Sequence, residues 1–259
     1  MNKKNYTVIT CEHLHNRHDL VLQQHSKYLC SNFNPPHFML RHDIKTGLCC
    51  TSKGYRPSLW SEHMNSVLPF HIFNCLCLQI NEGGVRLRDQ WSRGLIDCNI
   101  RNIRESMPPR FLKLAEHSLL HKHYEALILA SFEHKPTLIL EDDSLIMHSD
   151  LMDNVLKAVE IASHNPSYIN MIGSPVVERE PKEGTELHKL TLAMSFTTGA
   201  YIVSPLVARE LISEFFPYSL PIDFHLQYLF KKLKVRGYTI GSGGFTNGSL
   251  ASQIKSTIQ

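Results

Sequence analysis

The chain has 259 residues, enough to bury a full core as one large α/β domain or as one domain with an insertion. Its apolar share of 42% and charged share of 20% are those of an ordinary globular protein and exclude a disordered or fibrous one. The net charge of +3 suits a small anionic substrate but provides no basic stripe of the kind nucleic acid demands.

The first predicted element is the strand YTVIT, residues 6–10, running into a polar turn, CEHLHNRHD. A helix is expected to follow through LVLQQHSKYL. From 31 to 110 short apolar runs are broken by Pro35-Pro36, Gly83-Gly84 and Pro108-Pro109, which predicts a variable region of short strands and loops. All seven cysteines (Cys11, Cys30, Cys49, Cys50, Cys75, Cys77, Cys98) fall in the first hundred residues. Their odd number, the lack of a C-x-x-C pair and the lack of a secretory signal predict reduced thiols in a cytosolic protein. The Cys75–Cys77 pair with His71 has the wrong spacing for a zinc finger or ribbon. No segment approaches the length of a membrane span, so work at a membrane would be peripheral, from its inner, cytosolic face.

After Pro109 the periodicities sharpen. In FLKLAEHSLLHKHYEALILASF, Leu112, Ala115, Leu119, Ala126 and Ala130 recur at helical spacing. TLIL, 137–140, is a short buried strand. A second helix, SDLMDNVLKAVEIASHNP, has Ser149 to cap it, an inward stripe of Leu151, Val155, Ala158 and Ala162, and Asn165-Pro166 to end it. YINMIG, KLTLAMSF and AYIVS read as strands. Ser204-Pro205 is an N-cap and N1 pair opening the helix PLVARELISEFF. A further helix begins near Pro221, VRGYTI is a last strand, and a Gly-rich tail follows. Strands and helices in this alternation predict an α/β sheet with covering helices.

The strand TLIL stops at three successive carboxylates, Glu141, Asp142 and Asp143. Either they form a solvated turn or they hold a cation. In α/β sheets ligands bind beyond the carboxyl ends of strands, which is where these residues fall. Hard oxygen ligands suit Mn2+ or Mg2+, and such a metal needs only one or two protein carboxylates when substrate phosphates complete its shell.

SLLHKHYEALILASFEHKPTLILEDDSLI resembles glycosyltransferase family 25, which comprises lipopolysaccharide (lipooligosaccharide) glycosyltransferases and procollagen galactosyltransferases. Further similarities follow in order at FTTGAYIVSPLVARELI, PIDFHLQYLF and NGSLASQIKSTI, so the resemblance spans about 112–258 of a single domain, 1–259. It implies an α/β fold of the GT-A type, a mixed sheet flanked by helices. The implied activity is metal-dependent, inverting transfer of a hexose, galactose for example, from a UDP-sugar to a hydroxyl of a glycan or lipid-linked oligosaccharide acceptor. YTVITCEHLHNR is similar to a diverged version of the family's first strand and points to Thr10 and Arg17 as donor-binding residues.

The same resemblance implies roles elsewhere. Asp143 is the first choice of metal ligand, by its parallel with the last residue of D-x-D motifs, and Glu141 the second; Asp142 points toward the sugar or caps the local backbone. His123, in a Lys122-His123 pair standing where the family has Ser-His, is either a hydrogen-bonded core histidine or a group beneath the donor site. Thr197 and Thr198 would lie beside the donor sugar, or Gly199 would simply supply an unusual backbone angle. Asp223 is the expected general base, kept ionised by the helix N-terminus. The tail is either a frayed terminus or a flexible lid, with Asn247, Ser249, Lys255 and Ser256 toward the donor and Gly243, Gly244 and Gly248 giving it mobility. Two other classes stay open: a divergent, inactive member that binds glycan or partners, and a metal-dependent phosphohydrolase using the same carboxylates.

Overall fold

A computed structural model describes residues 3–10, 15–39, 114–146, 151–172, 187–189, 198–215, 220–240 and 244–248. The expectations placed on 40–110, Leu112, Ser149, 190–197, Gly243 and 249–259 lie outside the described residues, as do the cysteines other than Cys30. Cys30 is exposed and unbridged.

In chain order the elements are β1 (Tyr6–Ile9), α1 (His15–Gln24) with a π-helical turn at His25–Leu29, β2 (His37–Met39), α2 (Leu114–Phe132), β3 (Thr137–Glu141) and β4 (Ser144–Ile146). Then come α3 (Leu151–His164), β5 (Tyr168–Asn170), β6 (Leu187–Lys189), β7 (Ala200–Val203), α4 (Pro205–Ser213), α5 (Ile222–Leu233), β8 (Gly237–Ile240) and β9 (Phe245–Asn247). Seven strands form one sheet in the order β2-β1-β3-β7-β5-β8-β6, while β4 and β9 pair as a separate ribbon. Strands β2, β1, β3, β5 and β8 run one way, and β7 and β6 run against them. The described fold is mixed α/β, with a mostly parallel central sheet flanked by helices. No helix among the described residues is long and apolar enough to cross a membrane.

The sheet is buried on both faces, and side chains alternate between them with the period of two that a strand imposes. Ile9, Ile139, Tyr201 and Val203 face α2, α4 and α5, whereas Val8, Leu138, Leu140 and Ile202 face α1 and α3. The predicted stripe of α3 is intact: Leu151, Val155, Ala158 and Ala162 are all buried. On α2 the inward side carries Leu120, Ala126, Leu127 and Ala130. Burying side chains of this size stabilises the fold by about 1.5–3 kcal/mol for each leucine or valine.

Four local outcomes differ from the expectations. Helix α1 begins at His15, inside the predicted polar turn, because its inward residue in the first turns is Arg17, which an apolar period does not register. Ser204 does stand at the N-cap of α4 with Pro205 after it, but its hydroxyl makes no cap bond and accepts the Ser167 N–H at 3.1 Å instead. Strand β4, directly after the carboxylates, carries no predicted signal; its three residues pair with β9. The tail is no free lid at its start. Phe245 is buried, the Gly244 N–H donates to Met171 O at 2.9 Å, and a Cβ added at Gly244 would stand 1.7 Å from Leu151 Cδ1. Gly244 is thus a close-packing glycine, and the Gly248 N–H is tied to Asp143 O at 2.7 Å.

At the end of α5, Lys234 adopts a left-handed conformation (φ 54°) and the Val235 N–H reaches Phe230 O at 2.9 Å. This is the 6→1 bond of a Schellman stop, and it turns the chain into β8.

One core group gives the fold a pH limit. His225 is 2% exposed, stacks edge-on against Phe215 at 4.8 Å, and its Nε2–H donates to Phe215 O at 2.8 Å. Burial pushes its pKa down to about 4, with Lys232 adding to the fall and the Phe215 carbonyl opposing it. Below the ordinary histidine pKa near 6.5 the unfolded chain takes up a proton that the folded chain refuses. Stability is therefore complete above about 6.5 and falls, by up to about 3 kcal/mol, as the pH drops toward 4. Urea denaturation at pH 7.5 and 4.5 should show this loss in the wild type and a flatter dependence in His225→Gln. Equal slopes in the two proteins would contradict the assignment.

Candidate active site

Strand β1 has β2 on one side and β3 on the other, so the chain leaves in opposite directions at their shared carboxyl ends. Such a switch point is where an open α/β sheet forms its crevice. The three carboxylates stand there. Glu141 is the last residue of β3, aligned with Ile9, and Asp142 and Asp143 make the turn into β4.

The turn is not solvated. Asp142 is 5% exposed and Asp143 6%. Its backbone is fastened on three sides: Glu141 N–H to Gly199 O at 2.6 Å, Asp142 N–H to Ile9 O at 3.0 Å, and Gly248 N–H to Asp143 O. Buried carboxylates persist only when their charge is met by hydrogen bonds or a cation.

Asp142 is met from within the chain. Arg17, on the inward side of α1, donates from Nη1 to Asp142 Oδ1, and Thr10 Oγ1 donates to Oδ2 at 2.6 Å. His18 Nε2 lies 3.0 Å from the same Thr10 hydroxyl. Thr10, Arg17 and Asp142, three residues expected at the donor, are therefore brought together, and they bind one another. Both Asp142 oxygens are engaged, Oδ1 by Arg17 and Oδ2 by Thr10.

Glu141 looks to the other face of the sheet. Its Oε1 accepts the Thr198 hydroxyl at 2.6 Å and lies 3.3 Å from His123 Nε2. Burial raises the Glu141 pKa, but the His123 and Thr198 hydrogen bonds and the nearby charges of His123 and Arg17 outweigh it, and the group ends below the usual carboxylate range. His123 is fully buried on α2, and its Nδ1 lies 3.0 Å from the Tyr201 hydroxyl, the two rings stacked at 5.7 Å. Tyr201 stacks in turn on Tyr168 at 4.9 Å. His123 is thus a hydrogen-bonded core histidine in contact with Glu141.

Asp223, second residue of α5, completes the cluster. Thr198 reaches it with its hydroxyl and its backbone N–H. Asp223 Oδ1 is enclosed and accepts no hydrogen bond. The expected ionisation does not hold. Burial, together with the negative charge of Glu141, pushes Asp223 up to about 8, against the lowering effect of the Thr198 bonds. A helix N-terminus contributes only about 0.3–1 kcal/mol, and loss of hydration at a buried carboxyl exceeds that several-fold. The proton count agrees. Thr198 has one hydroxyl proton for two carboxyl neighbours, so with that proton given to Glu141, a proton on Asp223 removes the clash.

Thr197, Ser249 and Lys255 lie outside the described residues. Asn247 stands in β9 opposite Ser144. Tyr201 is the member of the cluster that the sequence did not mark. In AYIVS it is one more inward residue of a buried strand, and no spacing betrays its partner on α2.

The metal expectation meets a donor set made of oxygen. Asp142 holds Arg17 and Thr10, Glu141 has one oxygen on Thr198 and His123, and Asp143 stands beside them in the turn. Among the described residues no group of three or more His, Cys, Asp or Glu is arranged to hold a metal by itself. One or two carboxylates with substrate phosphates suit Mg2+ or Mn2+, and a thiolate or multi-histidine metal does not fit.

No family model matches the sequence. No curated protein matches it either. Among solved structures, apo UDP-glucose pyrophosphorylase superposes with a TM-score of 0.33 at 14% identity, covering 61% of this chain and 67% of that one. A likeness so slight carries neither a fold family nor an activity over to this chain. What stands is the mixed α/β class and the geometry of the cluster.

Proposed function

We propose that the protein is a glycosyltransferase of the GT-A type, moving a hexose from a UDP-sugar to a hydroxyl on a glycan or lipid-linked oligosaccharide, in the cytoplasm or at the inner face of a membrane. The observation that carries this reading is the acidic turn Glu141–Asp143, buried and fastened at the carboxyl ends of β1 and β3, where a solvated turn would be exposed. The resemblance of 112–258 to glycosyltransferase family 25 supplies the chemistry to which such a turn answers.

Arg17 and Thr10 hold Asp142 and so keep the turn rigid, and Asp143 would be its carboxylate toward the donor's phosphates. A divalent cation bound there would neutralise charge on the departing nucleoside diphosphate. Asp223 accepts the proton of the acceptor hydroxyl as the new bond to the sugar carbon forms and the bond to the phosphate oxygen breaks. In its ionised form a carboxylate with so high a pKa is a stronger base than a solvated one.

Titration calorimetry with UDP and Mn2+ tests the donor site, and thermal shift with a panel of UDP-hexoses names the sugar. Asp143→Ala should abolish the manganese-dependent part of UDP binding while the fold survives, since Asp143 lies in a turn and not in the apolar core. Metal-dependent affinity equal to wild type would defeat the assignment. Release of inorganic phosphate without a sugar acceptor would favour the phosphohydrolase class.

A further inference from the structure

We propose that Gln24 is a positioning residue for Asp143: its side-chain amide acts as a one-residue third strand on β4, so that α1 grips the acidic turn from both ends. The proposal rests on the reading of Asp143 as a ligand for the donor's divalent cation and adds to it the device that holds that ligand in place.

Helix α1 reaches the turn at two points. Arg17 and Gln24 stand about two turns apart on it, so they share one face, with the buried Val21 between them. Arg17 takes Asp142, ahead of Asp143, and Gln24 takes the strand that follows. Gln24 Nε2 donates to Ser144 O at 3.2 Å, and its Oε1 accepts the Ile146 N–H at 2.7 Å. These partners fix the orientation of the amide, since turning it over would set oxygen on oxygen and N–H on N–H.

The backbone of β4 explains why an amide is needed there. The Gly248 N–H reaches Asp143 O at 2.7 Å, and the register sets Leu145 opposite Thr246, so the polar groups of Asp143 and Leu145 face β9. Residues alternate along a strand, and Ser144 O and the Ile146 N–H therefore face the other way. Two paired strands of 3 residues each are marginal by themselves in water. A side-chain amide has the donor and the acceptor of a peptide group, so Gln24 fills both outward positions as one residue of a third strand would. Its own backbone is anchored. The next residue, His25, opens the π-helical turn, stacks on Tyr6 of β1 at 5.8 Å and has Nδ1 3.2 Å from the Tyr6 hydroxyl. Asp143 is thus flanked on both sides by residues that α1 holds. Without Gln24 the ribbon loosens from α1, and slack at Ser144 passes to Asp143 through one peptide bond. Groups that support a metal ligand from behind set its direction, and losing one weakens metal binding.

The test is Gln24→Met in the full chain, which keeps the length of the side chain and removes both bonds. Amide exchange followed by NMR should quicken roughly tenfold or more at Gly248, whose N–H is bonded to Asp143 O and not to Gln24. The β1–β3 ladder should stay as protected as in the wild type. Titration calorimetry should show Mn2+ losing roughly 10- to 100-fold in affinity for the UDP-loaded protein, the usual cost of a lost supporting partner, with UDP affinity in the absence of metal unchanged. Wild-type exchange at Gly248 overturns the proposal, and so does faster exchange with full Mn2+ affinity, which would make Gln24 a structural tie only. If Gln24→Met does not fold, Gln24→Glu gives the second measure: it keeps an oxygen for the Ile146 N–H and offers no donor to Ser144 O. It must show the same two losses, and wild-type values overturn the proposal. A wild type in which Mn2+ adds nothing to UDP affinity refutes the proposed function and the ligand role of Asp143 with it, and exchange at Gly248 alone then decides the tie between Gln24 and the turn.

Discussion

Asp223→Asn should lower hexose transfer by roughly 10²- to 10⁴-fold, the range for loss of a positioned base, and at the same time make the protein more stable in alkaline solution. The two effects have one origin. Asp223 is pushed up to about 8 by burial and by the charge of Glu141, whereas an unfolded aspartate titrates near 3.9. A carboxyl whose folded pKa is raised leaves stability intact below the unfolded value and takes it away as pH climbs through the folded one. Between about 4 and 8 the folded state keeps a proton that the unfolded chain has released. By pH 8.5 the accumulated cost is on the order of 3 kcal/mol, somewhat reduced because the residue as a whole is only half-buried. Asparagine carries no charge to desolvate and still has an oxygen to accept the Thr198 N–H. Melting curves of both proteins from pH 5 to 9 should nearly coincide at the acid end and diverge at the alkaline end, the variant above. Coincidence across the range would mean that Asp223 is hydrated and not strained. A collapse of UDP affinity together with the rate would move Asp223 from the acceptor side to the donor shell.

Arg17→Ala should be the most destabilising single change at the site. Arg17 and Asp142 have side chains only 11% and 7% exposed, and Thr10 takes the second carboxylate oxygen. Removing one partner of such a pair leaves a buried charge uncompensated, which costs about 3–5 kcal/mol. The loss would also loosen α1 from the acidic turn, leaving Gln24 bonded to Ser144 O and the Ile146 N–H just beyond it. Denaturant titration should give this loss for Arg17→Ala, and the double variant Arg17→Met with Asp142→Asn should recover a large part of it. A single-variant loss below about 1 kcal/mol would show that the pair behaves as a solvent-exposed ion pair. Arg17 was expected to bind donor directly; its contacts give it the prior task of holding Asp142.

Much of the fold is legible in sequence wherever one face of an element is continuously apolar. The helices at 151–164 and 205–213 and the strand at 137–140 follow from periodicity and flanking caps, because burial of a stripe is decided within a few turns of chain. The start of α1 was not legible, since its inward residue is a charged arginine whose burial depends on a carboxylate 125 positions away. Strand β4 was not legible either: three residues gain strand form only by pairing with β9, at the far end of the described chain.

At the site the division is sharper. The run Glu141-Asp142-Asp143 at a strand end is visible in sequence as an anomaly of like charge, and its placement at the mouth of the sheet follows from the α/β alternation. Which carboxylate does what is not visible. Asp142 is answered by Arg17, Glu141 by His123 and Thr198, and Asp223 by Thr198, all across long sequence separations and between elements of different kinds. Hydrogen-bond partnership depends on tenths of an ångström in the packed state, and a pKa depends on how much water the packing removes. Residue type and local spacing contain neither quantity. Helix-start position alone therefore predicts an ionised Asp223, while burial and the charge of Glu141 push its pKa up to about 8.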